Sequence, residues 1–357
     1  RVKGLGIQIQ GLVQTVVRER PDFLLVLGDR EESISTALVG SYLNIPVAHI
    51  AGGDKVVGNV DDQVRHAVTK LAHLHFTTNQ ESADRVLKLG EQPFRVFNVG
   101  NPGLDRLLSV PSLSVDQLSQ RLNFPLLEDE PLLLVIQHVI STEIEDAYEQ
   151  MRQTLMAVSE LGIKTVLSYP NSDAGGQKII RAIQEYSSLP FLYTAKNIPR
   201  LEFVNLFRRA SCLLGNSSAG ILEAPLLKLP VVNVGNRQKG RLHAENVTFV
   251  SHECQAIVAA VNRAVFNTDY IQAVSQCSNP YGDGNSSKRI ADVLATTNIN
   301  DALHETSKLK LAGGLSTTTP LKSLISFNFK SFLCLIIIVL ISLKSLSNIF
   351  ILYFHIN

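Results

Sequence analysis

A two-domain α/β architecture built on parallel sheets is what this sequence predicts, and three observations point to it. Short apolar runs alternate with amphipathic helical segments through most of the chain. Each run is followed by a short polar motif with Gly, Asp, Asn, His, Ser or Arg, where open α/β sheets bind ligands, outside the carboxyl ends of the strands. The chain has 357 residues, enough for two ordinary domains with a core each.

The chain opens in a helical pattern, with Leu5, Ile9, Leu12, Val13 and Val16 at helical spacing. No strand precedes it, so the first domain is expected to lack its opening strands. Strands are then predicted at 23–27, 47–50, 95–99, 132–136, 165–168, 212–214 and 231–234, and helices at 34–42, 60–74, 144–161, 201–209 and 221–227. Strands alternating with helices imply parallel sheets covered on both faces. The segment 107–130, with Pro111, Pro125 and several acidic residues, reads as the crossing between two sheets. The expected division is a first domain over 1–115, a second over 116–300, and a linker with an apolar tail over 301–357 that lies outside the fold.

That tail changes character after a Thr-rich stretch, 316–320. The apolar run from Phe332 to Leu343 stops at Lys344, short of the ~20 apolar residues a membrane-spanning helix needs. A second run, 349–356, extends it only if Lys344 is buried. Membrane contact is therefore expected only if the tail is genuine; a non-native extension or a misread chain end explains it equally well.

Charge is nearly balanced, 33 Lys and Arg against 32 Asp and Glu, which argues against a nucleic-acid partner. Cys212, Cys254, Cys277 and Cys334 are scattered without metal-ligand spacing, so reduced thiols in a cytoplasmic protein are expected. His66, His73 and His75 fall in or just after one predicted helix, and His73 and His75 do not share a helical face. No metal site is expected.

The chemistry-bearing motifs sit at the strand ends. In Gly215-Asn216-Ser217-Ser218-Ala219-Gly220 a small-residue loop leads from a strand into a helix beginning near Ser218. Free backbone amides and two hydroxyls there would cradle a diphosphate; simple capping by Ser217 or Ser218 is the alternative. Glu223, a turn into the helix, could accept from ribose hydroxyls or be a solvated carboxylate. Arg237, after the next strand, could neutralise phosphate charge. In 60–71, Val60, Val64, Val68 and Leu71 form a buried stripe, while Asp62, Arg65, His66 and Thr69 share the other side. Helix-start capping explains Asp61 and Asp62 without chemistry. Their closeness to Asp29 and Asp54 suggests instead carboxylates that push one another's pKa values apart, as acid–base work needs. His138 follows a strongly apolar strand and suits a proton donor or diphosphate contact, or a structural role.

The succession GDR, HIAGGD, VDDQVRHAVTKLAHLHF, VGNPGLDRL, QHVISTE, YPNSDAGG, GNSSAGILEAP, VVNVGNRQKGR and NPYGDGNSSKRI closely resembles the hydrolysing UDP-N-acetylglucosamine 2-epimerases. These include bacterial sialic-acid enzymes and the epimerase half of the animal epimerase/kinase. The match runs in order from about Pro21 to Ile290. It implies a GT-B-like fold, two Rossmann-like domains with the active site in the cleft between them. It also implies elimination of UDP to a 2-acetamidoglucal followed by hydration to N-acetylmannosamine, in sialic acid or related nonulosonate biosynthesis. The resemblance places Asp29, Asp62 and His138 at catalytic positions, with Asp61 adjoining. It places Ser217, Ser218, Glu223 and Arg237 at the UDP diphosphate and ribose, with Arg30 in the GDR motif as a further contact. Asn171 and Asp173 line the sugar and phosphate region, and Ile198 lies near the uracil. No cofactor is expected, the partner is a UDP-sugar substrate, and a homo-oligomer is expected.

Three departures from the family pattern stand out. Ala51 occupies a position where many members carry Glu, with Asp54 the carboxylate expected to compensate. Val139 replaces a Pro after Gln-His and is expected to loosen the pose of His138. The opening strands of the family's first domain are expected to be absent. Two other readings stay open: a non-hydrolysing epimerase or another GT-B transferase, and a truncated homologue that binds a UDP-sugar without turnover. A diacetamido-trideoxy hexose is the alternative sugar.

Overall fold

The structure, a computed structural model, describes residues 2–55, 60–171, 173–300, 303, 337–341 and 349–353. The chain divides into two compact units, residues 1–106 with 281–357, and residues 107–280.

The first unit begins with α1 (Val2–Glu19), β1 (Phe23–Leu27), α2 (Glu31–Tyr42) and β2 (Val47–Ile50). It continues through α3 (Val60–Leu71), β3 (Leu74–Thr77), α4 (Gln80–Lys88), β4 (Val96–Asn98) and α5 (Pro102–Ser109), which runs past the boundary between the units. β1 to β4 are neighbours in chain order, and the pairs β1–β2, β2–β3 and β3–β4 are all parallel. Alternation along β1 shows how both faces are covered. Phe23 and Leu25 pack on one side with Ala48, Phe76 and Val99. Leu24 and Val26 pack on the other with Leu12 and Val16 of α1, Ala37 and Val39 of α2, and Val68 of α3. Val13, part of the apolar pattern at helical spacing in α1, is exposed.

The second unit contains α6 (Val115–Leu122), β5 (Leu132–Ile136), α7 (Ala147–Leu161), β6 (Lys164–Ser168), α8 (Gly176–Glu185), β7 (Leu192–Ala195) and α9 (Arg200–Arg209). β8 (Cys212–Gly215), α10 (Ala219–Leu222), β9 (Val231–Val234), β10 (Val247–Val250), α11 (Cys254–Phe266) and α12 (Thr268–Ser275) complete it. Its strands run in the order β10-β9-β8-β5-β6-β7, all pairs parallel. The chain leaves β5 toward β6 on one side and returns to β8 on the other. The topological switch point is therefore between β5 and β8, where such sheets open a crevice for ligands.

The structure adds elements that apolar runs did not reveal. β3 begins at Leu74, where the stretch expected to be helical ends, and His75 is a strand residue paired in register with His49. β7 and β10 are short and only partly buried. The predicted helix over 221–227 is two pieces, α10 and a 3₁₀ turn at Ala224–Leu227, because Pro225 lacks the N–H that a continuous helix would use.

The chain from Tyr281 onward belongs with the first unit, unlike the contiguous 116–300 block expected. In α13 (Ser286–Thr296), Ile290 and Leu294 are part of the core on one face of the first sheet. The two backbone amides that start α13, Ser286 N (3.1 Å) and Ser287 N (2.6 Å), donate to the carboxylate of Asp105. Asn101 N donates to Tyr281 O at 2.7 Å. Gly100 is left-handed (φ 89°), and a Cβ there would crowd Ser286 Oγ and Tyr281 O. The Gly100-Asn101-Pro102 motif, one of the strand-end motifs, thus docks the returning chain.

The tail also contributes backbone to the sheet, although it was expected to lie outside the fold. β11 (Ile337–Ile341) pairs antiparallel with β1, and β12 (Ile349–Tyr353) with β11, so the edge of β1 is covered. The 316–320 stretch, the start of the 332–343 run, Lys344 and Cys334 lie outside the described residues. Among the described residues, no helix is long and apolar enough to cross a membrane, and no group of His, Cys, Asp and Glu could hold a metal ion. Cys212, Cys254 and Cys277 are free and buried.

Candidate functional site

In the second unit the site grows from the β5–β8 switch point. The backbone ladder between these strands ends at the pair Ile136–Gly215. Gly215 has φ 132°, and any Cβ there would overlap the Ile136 carbonyl, so only glycine fits. Beyond that point Asn216 takes over the pairing with its side chain. Its Oδ1 accepts from His138 N (2.7 Å) and its Nδ2 donates to His138 O (2.9 Å). Asn216 is fully buried, and both groups of its amide are satisfied.

His138 is thereby fixed at the end of β5. Its Nδ1 accepts from Asn171 N at 3.2 Å, which puts the proton of the neutral ring on Nε2. Burial and then the neighbouring Arg237 charge push its pKa down to about 4, with Asp173 opposing them. Near neutral pH His138 is a hydrogen-bond donor through Nε2, not an imidazolium. Val139 does not loosen this pose, because it is buried in the core beside Gly175 and Asn216 holds the backbone of His138.

Arg237, after β9, donates from Nη1 to Asn216 O (3.2 Å), and Gln238 Nε2 donates to the same carbonyl (2.9 Å). Burial is the first cause lowering the Arg237 pKa, with Asp173 opposing it and Arg241 adding to it. Asn171 and Asp173 are exposed and joined to each other, Asn171 Nδ2 to Asp173 Oδ2, at 2.6 Å. Ser217 Oγ accepts from Ala219 N at 3.3 Å, so capping accounts for part of its role. Ser218 makes no side-chain cap.

Glu223 is mostly buried. One oxygen lies 3.7 Å from Arg200 Nη1, and the other, Oε2, is buried without a hydrogen-bond partner. Burial raises its pKa against the pull of Arg200. An orphaned buried acceptor calls for a donor such as a hydroxyl. Ile198, half-buried, lies in the loop just before Arg200.

In the first unit Asp29 follows β1 and forms an ion pair with Arg65 of α3. Arg65 also donates to Ala51 O (2.8 Å), and Ala51 is left-handed at φ 63°. The cluster expected to consist of carboxylates is therefore anchored on a cation. Asp62 lies a turn before Arg65, 3.7 Å from His66 Nε2. The side chain of Asp61 lies outside the described residues. Asp54 accepts from two hydroxyls, Thr78 Oγ1 (2.5 Å) and Ser82 Oγ (2.8 Å), which tie the loop to α4. Arg30 is exposed at the start of α2, where its carbonyl accepts from Ser33 N and Ile34 N.

Structure therefore groups His138, Asn171, Asp173 and Arg237 in one unit, and Asp29 with the helix of Asp62 in the other. Asn216, Gln238, Arg65 and Arg200 were not singled out as site residues. Their neighbours in the motifs were the available signal.

The family model described as UDP-N-acetylglucosamine 2-epimerase matches residues 2–295. The chain belongs to this family. The UDP-N,N'-diacetylbacillosamine 2-epimerase (hydrolyzing) of Legionella pneumophila is 36% identical over 294 residues, 82% of this chain and 76% of that protein. The polysialic acid biosynthesis protein P7 of Escherichia coli is 33% identical over 263 residues, 73% of this chain and 66% of that protein. Among solved structures, Neisseria meningitidis UDP-GlcNAc 2-epimerase bound to UDP-GlcNAc superposes with a TM-score of 0.66 at 22% identity, covering 81% of this chain and 80% of that one. S. aureus MnaA with UDP gives 0.67 at 21%, covering 82% and 80%. This epimerase-family chain thus has the expected GT-B-like class, two Rossmann-like α/β units with parallel sheets.

Proposed function

We propose that the chain is a hydrolysing 2-epimerase of a UDP-linked 2-acetamido sugar. The observation that carries this is the group at the β5–β8 switch point, where Asn216, followed by Ser217 and Ser218, is bonded to the backbone of a neutral His138 and to the Arg237 guanidinium, a donor set that suits a diphosphate. Two relatives above 30% identity carry names that fit, one a hydrolyzing epimerase and one a polysialic acid biosynthesis protein.

In this reading Ser217, Ser218 and Arg237 hold the diphosphate, and the orphaned Glu223 oxygen accepts from ribose. By the family resemblance Ile198 is assigned to the uracil, Asn171 and Asp173 to the sugar and phosphate region, and Arg30 to a further substrate contact. Asp29, Asp62 and the adjoining Asp61 supply the carboxylates. One carboxylate takes the C2 proton as the C1–O bond to UDP breaks, leaving a C1–C2 double bond. His138 donates to the departing diphosphate, and water then adds OH to C1 and H to C2. C2–H removal needs a base, and departing charge needs donors already in place. Asp29 and Asp62 are both candidates for the proton transfer, Asp29 paired with Arg65 and Asp62 beside His66.

UDP-N-acetylglucosamine, giving N-acetylmannosamine and UDP, is the first substrate reading. A diacetamido-trideoxy sugar is the second, favoured by the Legionella relative's name. Turnover of each UDP-sugar in deuterated water, followed by NMR, tests both. The expected result is a free sugar labelled at C2, with UDP as co-product. A UDP-linked product would instead indicate the non-hydrolysing reaction, and product without C2 label would exclude elimination.

A further inference from the structure

Asn216 lies where the backbone ladder of β5 and β8 stops, fully buried, with its amide wholly engaged by the backbone of His138. Its own carbonyl receives both Arg237 and Gln238. One residue therefore links the ends of β5, β8 and β9. The His138 backbone is fixed on both sides, which lets the ring meet Asn171 N through Nδ1 and present Nε2–H outward.

We propose that Asn216 is a positioning residue for the anion site, holding His138 as an Nε2–H donor and setting Arg237 beside it. The proposal deepens the UDP-sugar reading and rests on it. Asn216 touches no substrate in this assignment; it acts through His138 and Arg237. An aspartate would keep the acceptor for His138 N but lose the donation to His138 O, leaving a buried carbonyl without its partner. It would also place a negative charge near Arg237, which the diphosphate would then have to outcompete.

The charged groups facing the His138 ring are Arg237 after β9 and Asp173 after β6. With Asn216 in place the ring stays neutral across the physiological range. Freed by Asn216→Ala, it should titrate closer to the unperturbed value of about 6.5. UDP affinity should then fall by about tenfold near neutral pH and gain a new limb, strengthening as pH drops through about 6.5. The terminal phosphate of UDP titrates near pH 6 in every variant. An Asn216→Ala/His138→Gln double variant supplies that baseline and should lack the new limb.

The experiment is calorimetric UDP binding against pH for the full chain, Asn216→Ala, Asn216→Asp and the double variant, with NMR titration of the His138 ring. Partial retention of affinity by Asn216→Asp supports the assignment. If Asn216→Ala lowers stability but leaves UDP affinity, its pH dependence and the ring titration unchanged, the role is structural and the proposal falls. If the wild-type chain does not bind UDP, the functional reading fails. The ring titration then decides the positioning by itself, since a His138 pKa equal in wild type and Asn216→Ala overturns it.

Discussion

Removing the Arg65 guanidinium gives the sharpest test of how the first unit holds Asp29. The Arg65 side chain is 7% exposed and that of Asp29 17%, so the pair is largely shielded from water. Breaking a buried pair by deleting one partner costs about 3–5 kcal/mol, mostly from the charge left behind. Asp29 keeps some access to solvent, which places the pair at the low end of that range. Loss of the 2.8 Å bond to Ala51 O adds about 1 kcal/mol. Arg65→Met should therefore destabilise the first unit by about 3–4 kcal/mol. Asp29→Asn keeps an acceptor for Arg65 and should cost less, about 2 kcal/mol. If the two act through each other, the double variant should lose at least about 1.5 kcal/mol less than the sum. The chain has no tryptophan, so urea unfolding is best followed by circular dichroism, with amide exchange to separate the two units. A coupling energy below about 0.5 kcal/mol would refute the pair as the anchor of Asp29.

Gly215→Ala should abolish UDP binding and destabilise the second unit, because the added Cβ meets the Ile136 backbone and the φ of 132° strains any L side chain. A folded variant with full affinity would contradict the close strand spacing. Ser217→Ala with Ser218→Ala should weaken UDP binding roughly tenfold or more at near-normal melting temperature; unchanged affinity would leave these serines as helix-start residues alone. Burial lowers the pKa of His49 to about 3 and that of His138 to about 4, from 6.5. The unfolded chain then binds more protons between about pH 3 and 6.5. Stability should be full above pH 6.5 and lost as pH falls through that window, and His49→Asn should flatten the slope; a pH-independent unfolding midpoint would overturn these assignments. Amide exchange with UDP should protect the second unit more than the first, and protection confined to the first would sink the assignment of the nucleotide.

The sequence by itself determined the class of fold, since apolar runs of strand length read directly as β1, β2, β5 and β9. Buried parallel strands need no alternation, and their boundaries are sharp where Gly or a charged residue follows. It also marked the loops that carry His138, Ser217 and Arg237, because chemistry-bearing residues clustered after strands. Other parts were decided only by tertiary structure. β3 was hidden because His75 interrupts the apolar pattern and the preceding helical period runs into it. Gly100-Asn101 looked like a ligand loop, yet its partner is a segment near residue 281, and no local pattern encodes a contact that distant. Arg65 and Asn216 resemble ordinary polar residues of a helix and a loop. Their roles arise because α3 brings Arg65 to the end of β1, and because Gly215 ends the ladder where Asn216 must continue it. Periodicity records which face of an element is buried, while partners far apart in sequence are chosen by packing, and that is where the polar geometry of this protein was set.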